Sequence, residues 1–367
     1  MDFSEFGPPS QEWLTFIASN PLAAQDGFTE NDPGQAANLR ATTNKARGAV
    51  GAKLLATTGL DQRVTISTLQ VPCKDNRSIP LRVYKPREPR DNSLDGTLLY
   101  FHGGGFLLGD ETSDDFLCCR IADESNLCVL SVIYRHTHKF KHPAQVDDAW
   151  DAFEYIRDNA DTVDQSIPKG LIVMGISAGC TLAAGVVLRD RELVREEDWY
   201  HSKITGVVLS IPWLIHIDNY PFHLFKSQEV CAKIQNRETP VIPSDRIKLF
   251  SDLLGAGNPT EKLLNIPLLP DDELQGWPKT AFLLAGADPL RDDGLIFAKR
   301  LGSLGIPTKV HIYPGLPHGF RRWNQLEAST SFDATTIESI IWAIDINSNY
   351  QIEEWTCYEP KRKAPGS

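Results

Sequence analysis

From about residue 96 to residue 346 the chain alternates between short, continuously apolar runs and stretches whose apolar residues recur with helical period. This alternation limits the fold more than any other feature. TLLYF (97–101), LCVLSVIY (127–134), GLIVMGI (170–176), ITGVVLS (204–210), TAFLLAG (280–286) and TKVHIYP (308–314) read as strands. Runs with little polar interruption are what a strand covered on both faces requires. Between them, PAQVDDAWDAFEYIRDN places Val146, Ala149, Trp150 and Phe153 on one helical face, with Pro143 near its start. CTLAAGVVLRDREL, DGLIFAKRLGSLG and TTIESIIWAIDI read as further helices. Strand–helix repetition of this kind predicts a mostly parallel sheet with helices on both faces. Upstream, RVTISTLQVP and SIPLRVYKP add two strand signals, the second with Ile79, Leu81 and Val83 alternating with polar positions.

Two segments stand apart from this core, which is expected over 61–212 and 271–350. Residues 1–60 are polar and Ala-rich, helical in pieces, and read as an attached segment. Residues 213–270 contain no clean strand and are rich in aromatic and proline residues, so they read as an insertion lying over the sheet. A tail is expected over 351–367.

Charge narrows the partners. Lys and Arg total 37 against 48 Asp and Glu, for a net charge of −11. That excess argues against nucleic acid and against an anionic membrane surface. No apolar run is long enough to span a bilayer, and the first residues lack the basic and apolar regions of a signal peptide. The seven cysteines are an odd number, without a CxxC pair. Reduced thiols and a cytoplasmic location are expected. A homodimer is compatible with the sequence.

In open parallel sheets, sites lie beyond the carboxyl ends of the strands. Four unusual sequences fall there: His102-Gly103-Gly104-Gly105, Gly175-Ile176-Ser177-Ala178-Gly179, Ala287-Asp288-Pro289 and Pro317-His318-Gly319-Phe320. GISAG fits G-x-S-x-G, a sharp strand-to-helix turn that exposes a serine hydroxyl. A hydroxyl needs a base to take its proton, and a histidine held by a carboxylate supplies one. The order Ser177, Asp288, His318 suits that role. Glycines next to such a serine let backbone N–H groups approach the oxygen of an attacked carbonyl. Gly103 and Gly104, with Ala178, are therefore the expected oxyanion hole, and His102 is expected to brace their loop.

With all four motifs in order, the chain resembles the hormone-sensitive-lipase-like branch of the α/β-hydrolases over about residues 65–345. HGGGF, GISAG, DPLRDDG and PHGF carry the resemblance. It implies an α/β-hydrolase fold with a mostly parallel eight-stranded sheet flanked by helices. It also implies a helical cap from residues 1–60 and 213–270, and carboxylester hydrolysis without a cofactor. The chain also looks like esterases encoded beside fungal polyketide pathways, which would place it in secondary metabolism. The sequence departs from the family where Ile176 precedes the serine, where Cys180 follows SAG, and where YRHTHK replaces YRLAPE. Cys180 reads as a small packing residue, and Asp292 and Asp293 as structural.

The reading at this point is a serine hydrolase acting on a small or medium carboxylic ester through an acyl-enzyme. A thioester or lactone hydrolase and a biosynthetic acyltransferase remain alternatives. A ligand receptor is a further one, since the plant gibberellin receptors resemble the same family but lack the catalytic histidine. Trp213, Phe222 and Phe225, at the start of the insertion, are expected to wall the substrate pocket. His136, His138 and His142 in HTHKFKH are expected to form a solvated loop, and no metal site is expected.

Overall fold

The computed structural model describes residues 1–24, 33–90, 96–347 and 351–360. Nine strands form one sheet: β1 (Val64–Pro72), β2 (Ser78–Pro86), β3 (Thr97–Phe101), β4 (Cys128–Val132), β5 (Leu171–Ile176), β6 (Ile204–Ser210), β7 (Lys279–Ala285), β8 (Thr308–Tyr313) and β9 (Glu353–Cys357). Their spatial order is β1-β2-β4-β3-β5-β6-β7-β8-β9. The β1–β2 and β2–β4 pairs are antiparallel, and every later pair is parallel. The mostly parallel α/β sheet read from the alternation is thus the observed architecture.

The count of eight strands needs correction. The ninth, β9, pairs with β8 from Glu353 opposite Thr308 to Cys357 opposite Ile312. It lies within the expected tail, of which residues 361–367 fall outside the described residues. Its sequence, EEWTC, shows no continuous apolar face: Trp355 packs half-buried on the core, and none of its residues is fully buried. An edge strand held by ladder hydrogen bonds needs no such face, so hydrophobic patterning does not reveal it.

Alternate residues of the central strands point to opposite cores. Leu99, Phe101 and Val173 join one cluster, whereas Leu98, Tyr100, Ile172 and Met174 join the other. The first cluster contains the helices Ala144–Asp158, Ala178–Glu196 and Arg291–Ser303, and the second contains Asp115–Ser125 and Glu327–Ile344. Of the helical face expected for Ala144–Asp158, Val146, Ala149 and Phe153 are buried and Trp150 is half-buried.

The N-terminal segment carries the helices α1 (Gln11–Ser19) and α2 (Ala36–Thr58). Ser10 caps α1 by accepting from the Trp13 N–H at 3.1 Å. Three side chains of α2 grip the loop after β3. Arg40 donates to the Leu107 carbonyl, and Asn44 exchanges two hydrogen bonds with the Gly109 backbone at 2.8 and 2.9 Å. Arg47 pairs with Asp114 at 2.8 Å. The insertion after β6 contains 3₁₀ turns and helices, among them Ser244–Leu254, and no strand among its residues.

Candidate active site

Ser177 stands between the end of β5 and the helix Ala178–Glu196, with φ 52° and ψ −120°. A positive φ is strained for a residue with a β-carbon, and the turn is held from several sides. The Ser177 N–H donates to the Ser210 carbonyl at 2.9 Å, and its own carbonyl accepts from Cys180 at 2.9 Å and Trp213 at 3.2 Å. The glycines of GISAG are required by close approach. A β-carbon at position 175 would lie 2.4 Å from the Gly179 carbonyl oxygen, and one at position 179 would lie 2.2 Å from that of Phe101. The Cys180 thiol faces the Gly175 and Ser210 carbonyls, at 3.0 and 3.4 Å. Burial pushes its pKa up, so it packs as a neutral group beside the serine.

His318 and Asp288 meet this serine across the carboxyl edge of the sheet. His318 Nε2 lies 3.0 Å from Ser177 Oγ, and Nδ1 lies 2.7 Å from Asp288 Oδ2. An ionised carboxylate only accepts, so Nδ1 carries the hydrogen and the Nε2 lone pair faces the hydroxyl. Asp288 Oδ1 accepts from the Leu290 N–H at 2.8 Å, which fixes the carboxylate. All three residues are buried. The loop carrying His318 is also pinned from the N-terminal segment. Gly315 donates to the Phe6 carbonyl at 2.8 Å, and Ser10 donates to the Gly315 carbonyl at 3.2 Å. No motif in residues 1–10 announces these contacts.

The glycine loop closes the third side. A β-carbon on Gly103 would lie 3.3 Å from Ser177 Cβ and 2.9 Å from the Ile176 carbonyl oxygen. Gly104 has φ +131°, a conformation that favours glycine. Among the described residues, none accepts a hydrogen bond from the backbone N–H of Gly103, Gly104 or Ala178. His102 braces the loop as expected, with Nδ1 3.0 Å from the Gly103 carbonyl oxygen. Chemically, the arrangement offers a hydroxyl, a neutral imidazole to take its proton, a carboxylate that favours the resulting imidazolium, and unpaired N–H donors alongside.

Residues 98–322 match the family model described as alpha/beta hydrolase fold. The chain belongs to the α/β-hydrolase fold family. Esterase LipI of Mycobacterium tuberculosis is 30% identical over 244 residues, 66% of this chain and 71% of that protein. The versiconal hemiacetal acetate esterase of Dothistroma septosporum is 27% identical over 243 residues, 66% of this chain and 72% of the relative. Among solved structures, a bacterial heroin esterase superimposes with a TM-score of 0.75 at 26% identity, covering 92% of this chain and 99% of that one.

Where this α/β-hydrolase departs from its family's motifs, the structure finds other uses for the residues. HTHKFKH is solvated only in part: His138, Lys139 and Lys141 are exposed, whereas His136 and His142 are not. His136 is buried, and its ring stacks on Tyr134 and His102. The nearly buried side chain of His142 places Nε2 2.6 Å from Glu261 of the insertion. Histidine polarity suggests solvent, but here partners distant in sequence take that place. Among the described residues, no group of three or more His, Cys, Asp or Glu could hold a metal ion.

Asp292 and Asp293 tie the insertion to the hydrolase core. Asp293 Oδ2 accepts from the Leu214 and Ile215 N–H groups, both at 3.0 Å. Asp292 Oδ2 accepts from the Ala232 N–H at 2.6 Å and from the Tyr220 hydroxyl at 3.1 Å.

The three aromatic residues expected at the pocket separate. Trp213, bonded through its N–H to Ser177, has its ring centroid 5.6 Å from that of Phe106. It lines a cavity of about 10 Å³ with Phe106, Thr181, His216, Leu254 and Leu264. Phe222 and Phe225 instead pack on Tyr220, at 4.9 and 5.9 Å, and Phe225 also meets Phe3 at 6.4 Å. They are not among the residues lining that cavity. A wider groove of about 990 Å³ runs between α1, α2 and the Arg322–Gln325 stretch, lined in part by Leu39, Val241 and Trp323. None of Ser177, Asp288 or His318 lines the groove or the small cavity; the small cavity is tied to the serine turn through Trp213, whose backbone N–H donates to the Ser177 carbonyl at 3.2 Å.

Proposed function

We propose that this hydrolase cleaves a small or medium carboxylic ester through an acyl-enzyme, with Ser177 as nucleophile, His318 as base and Asp288 as orienter. The observation that carries the reading is the unbroken chain from Asp288 Oδ2 through His318 to Ser177 Oγ, at 2.7 and 3.0 Å, beside unpaired backbone donors. Ser177 Oγ bonds to the acyl carbon as its proton passes to His318 Nε2. The carbonyl oxygen becomes an oxyanion, stabilised by the N–H groups of Gly103, Gly104 and Ala178. The intermediate collapses, the alkoxide leaves with the proton from His318, and the acyl group stays on Ser177. Water then attacks, His318 takes its proton, and the acid is released as Oγ regains the proton. Every step balances without a metal or cofactor.

In the same reading, residues 1–60, of which 25–32 fall outside the described residues, and 213–270 form a cap, and Trp213 walls the acyl or alcohol pocket. The ties from α2 to the glycine loop, and from Asp292 and Asp293 to the insertion, support this. The seven cysteines, none in a disulfide and six of them buried, support a reducing compartment such as the cytoplasm. No helix among the described residues is long and apolar enough to cross a membrane.

A fluorophosphonate probe tests the reading. It should label Ser177, and Ser177→Ala should abolish both labelling and the burst of nitrophenol from a nitrophenyl ester. A folded Ser177→Ala variant that keeps its turnover would defeat the acyl-enzyme mechanism, and a wild-type protein that binds esters without cleaving them would favour a receptor.

A further inference from the structure

His136 takes no part in the Asp288–His318–Ser177 chain, yet it is buried beside the loop that borders the serine. Its Nε2 lies 3.3 Å from Nε2 of His102. The rings of His102, Tyr134 and His136 form a stack, with centroids 4.4 to 5.2 Å apart. Two imidazole nitrogens facing each other need one hydrogen between them, because two lone pairs repel and two hydrogens collide.

The other side of His102 decides which ring supplies that hydrogen. Its Nδ1 lies 3.0 Å from the Gly103 carbonyl oxygen, which can only accept. The Tyr134 hydroxyl gives its hydrogen to the His102 carbonyl at 2.9 Å, which leaves its oxygen, 3.3 Å from Nδ1, as a second acceptor. Nδ1 of His102 therefore carries the hydrogen. In the neutral ring Nε2 is then a bare lone pair, and the hydrogen between the two rings belongs to His136 Nε2. Burial keeps both rings neutral, pushing His102 down to about 4 and His136 well below the ordinary imidazole value.

The consequence reaches the serine through one peptide group. The Gly103 carbonyl and the Gly104 N–H belong to the same trans peptide plane and point in opposite directions. Holding the carbonyl on His102 turns the N–H away from His102. Gly103 itself abuts Ser177, and the Gly104 carbonyl is fixed in turn by the Leu107 and Leu108 N–H groups, at 3.1 and 2.8 Å.

We infer that His136 is a positioning residue for acyl transfer: by donating from Nε2 to His102 it fixes the tautomer and ring plane that hold the Gly103 carbonyl, and so aims the Gly104 N–H at the developing oxyanion. The inference rests on the reading of Ser177 as nucleophile.

The test compares full-length His136→Leu and His136→Gln. The glutamine amide nitrogen reproduces the Nε2 donor, and leucine removes it. Three readouts are taken: kcat and KM on p-nitrophenyl acetate, inhibition by a trifluoromethyl ketone whose hemiketal oxygen occupies the oxyanion hole, and the imidazole ¹⁵N resonances. His136→Leu should lower kcat about 10- to 100-fold with KM nearly unchanged, less than the ~10²–10³ lost when an oxyanion donor is deleted outright. It should weaken the ketone by the same factor, and His136→Gln should restore most of both. The wild-type resonances should place the hydrogen on Nδ1 of His102 and on Nε2 of His136.

Wild-type turnover by a folded His136→Leu, a His136→Gln as slow as the leucine variant, or a His136 protonated on Nδ1 would each overturn the inference. Should the leucine variant not fold, the glutamine variant and the tautomers decide. Failure of the nucleophile reading is seen separately, as turnover surviving in Ser177→Ala.

Discussion

A β-carbon on Gly105 would lie 2.1 Å from the ring of Phe250. Gly105 belongs to the loop beside Ser177 and Phe250 to the helix Ser244–Leu254 of the insertion, so the insertion rests directly on that loop. Gly105 also has φ +60°. Gly105→Ala should cost about 1–3 kcal/mol through overpacking, with a further penalty of roughly 1 kcal/mol for the left-handed backbone. Removing the ring relieves only the first part. In urea unfolding, the Gly105→Ala/Phe250→Ala double variant should therefore lose less stability than the sum of the single variants. Strict additivity would mean that the ring moves aside freely.

The two acidic positions after β7 should separate by phenotype. Asp288→Asn should reduce kcat by about 10⁴-fold with little change in melting temperature, because it disturbs the His318 tautomer and leaves the packing intact. Asp292→Asn should do the opposite. It weakens the acceptor for the Ala232 N–H and the Tyr220 hydroxyl, so its cost falls on stability, on the order of 1–3 kcal/mol. Assay of both variants at one temperature, with melts alongside, checks the ranking. A larger kcat loss for Asp292→Asn would reassign the orienter.

Acyl length should depend on Trp213 and far less on Phe222 or Phe225. The cavity beside Trp213 holds about 10 Å³, close to the space needed for a single water, so it suits a short acyl chain. Trp213→Ala should shift the preference among nitrophenyl esters from acetate towards butyrate and longer chains, while fluorophosphonate labelling of Ser177 persists. The folded fraction must be measured, since truncating a buried tryptophan costs about 3–5 kcal/mol. An unchanged ranking in a folded variant would place acyl selection elsewhere.

Buried histidines set an acid limit on stability. Burial pushes His102 and His311 down to about 4 from an ordinary value near 6.5; next to His311, Lys309 adds to the depression and Glu354 opposes it. Below about pH 6.5 the unfolded chain binds protons that the folded protein refuses. The stabilisation from each neutral ring is therefore complete above pH 6.5 and lost as pH falls through 4. A fully buried ring with this shift accounts for about 3 kcal/mol. His311 lies on β8, away from the serine, and is partly exposed, so less is expected of it. His311→Gln should flatten the urea midpoint between pH 6.5 and 4 without changing kcat at pH 7. A profile as steep as that of the wild type would remove His311 from the account.

The sequence by itself determined the parallel sheet, because strands buried on both faces must be continuously apolar and the helices between them must show a single apolar face. It also singled out Ser177, Asp288 and His318, in that chain order, as the candidates that the fold brings within hydrogen-bond distance of one another. A sharp strand-to-helix turn needs glycines at close approach, and side chains at the carboxyl ends of parallel strands converge.

What local pattern could not carry was decided by tertiary structure. β9 has no continuous apolar face to announce it and is held by its ladder with β8 and by Trp355 against the core. Phe222 and Phe225 look like Trp213 in sequence, but only Trp213 is bonded by its backbone to the serine turn. His136 and His142 read as solvated, yet their partners are His102 and Glu261, 34 and 119 residues away. Residues 6–10 pin the His318 loop through backbone groups, which leave no mark on residue type. The polarity of a side chain says that it needs partners, and only the folded chain says whether those partners are water or the protein itself.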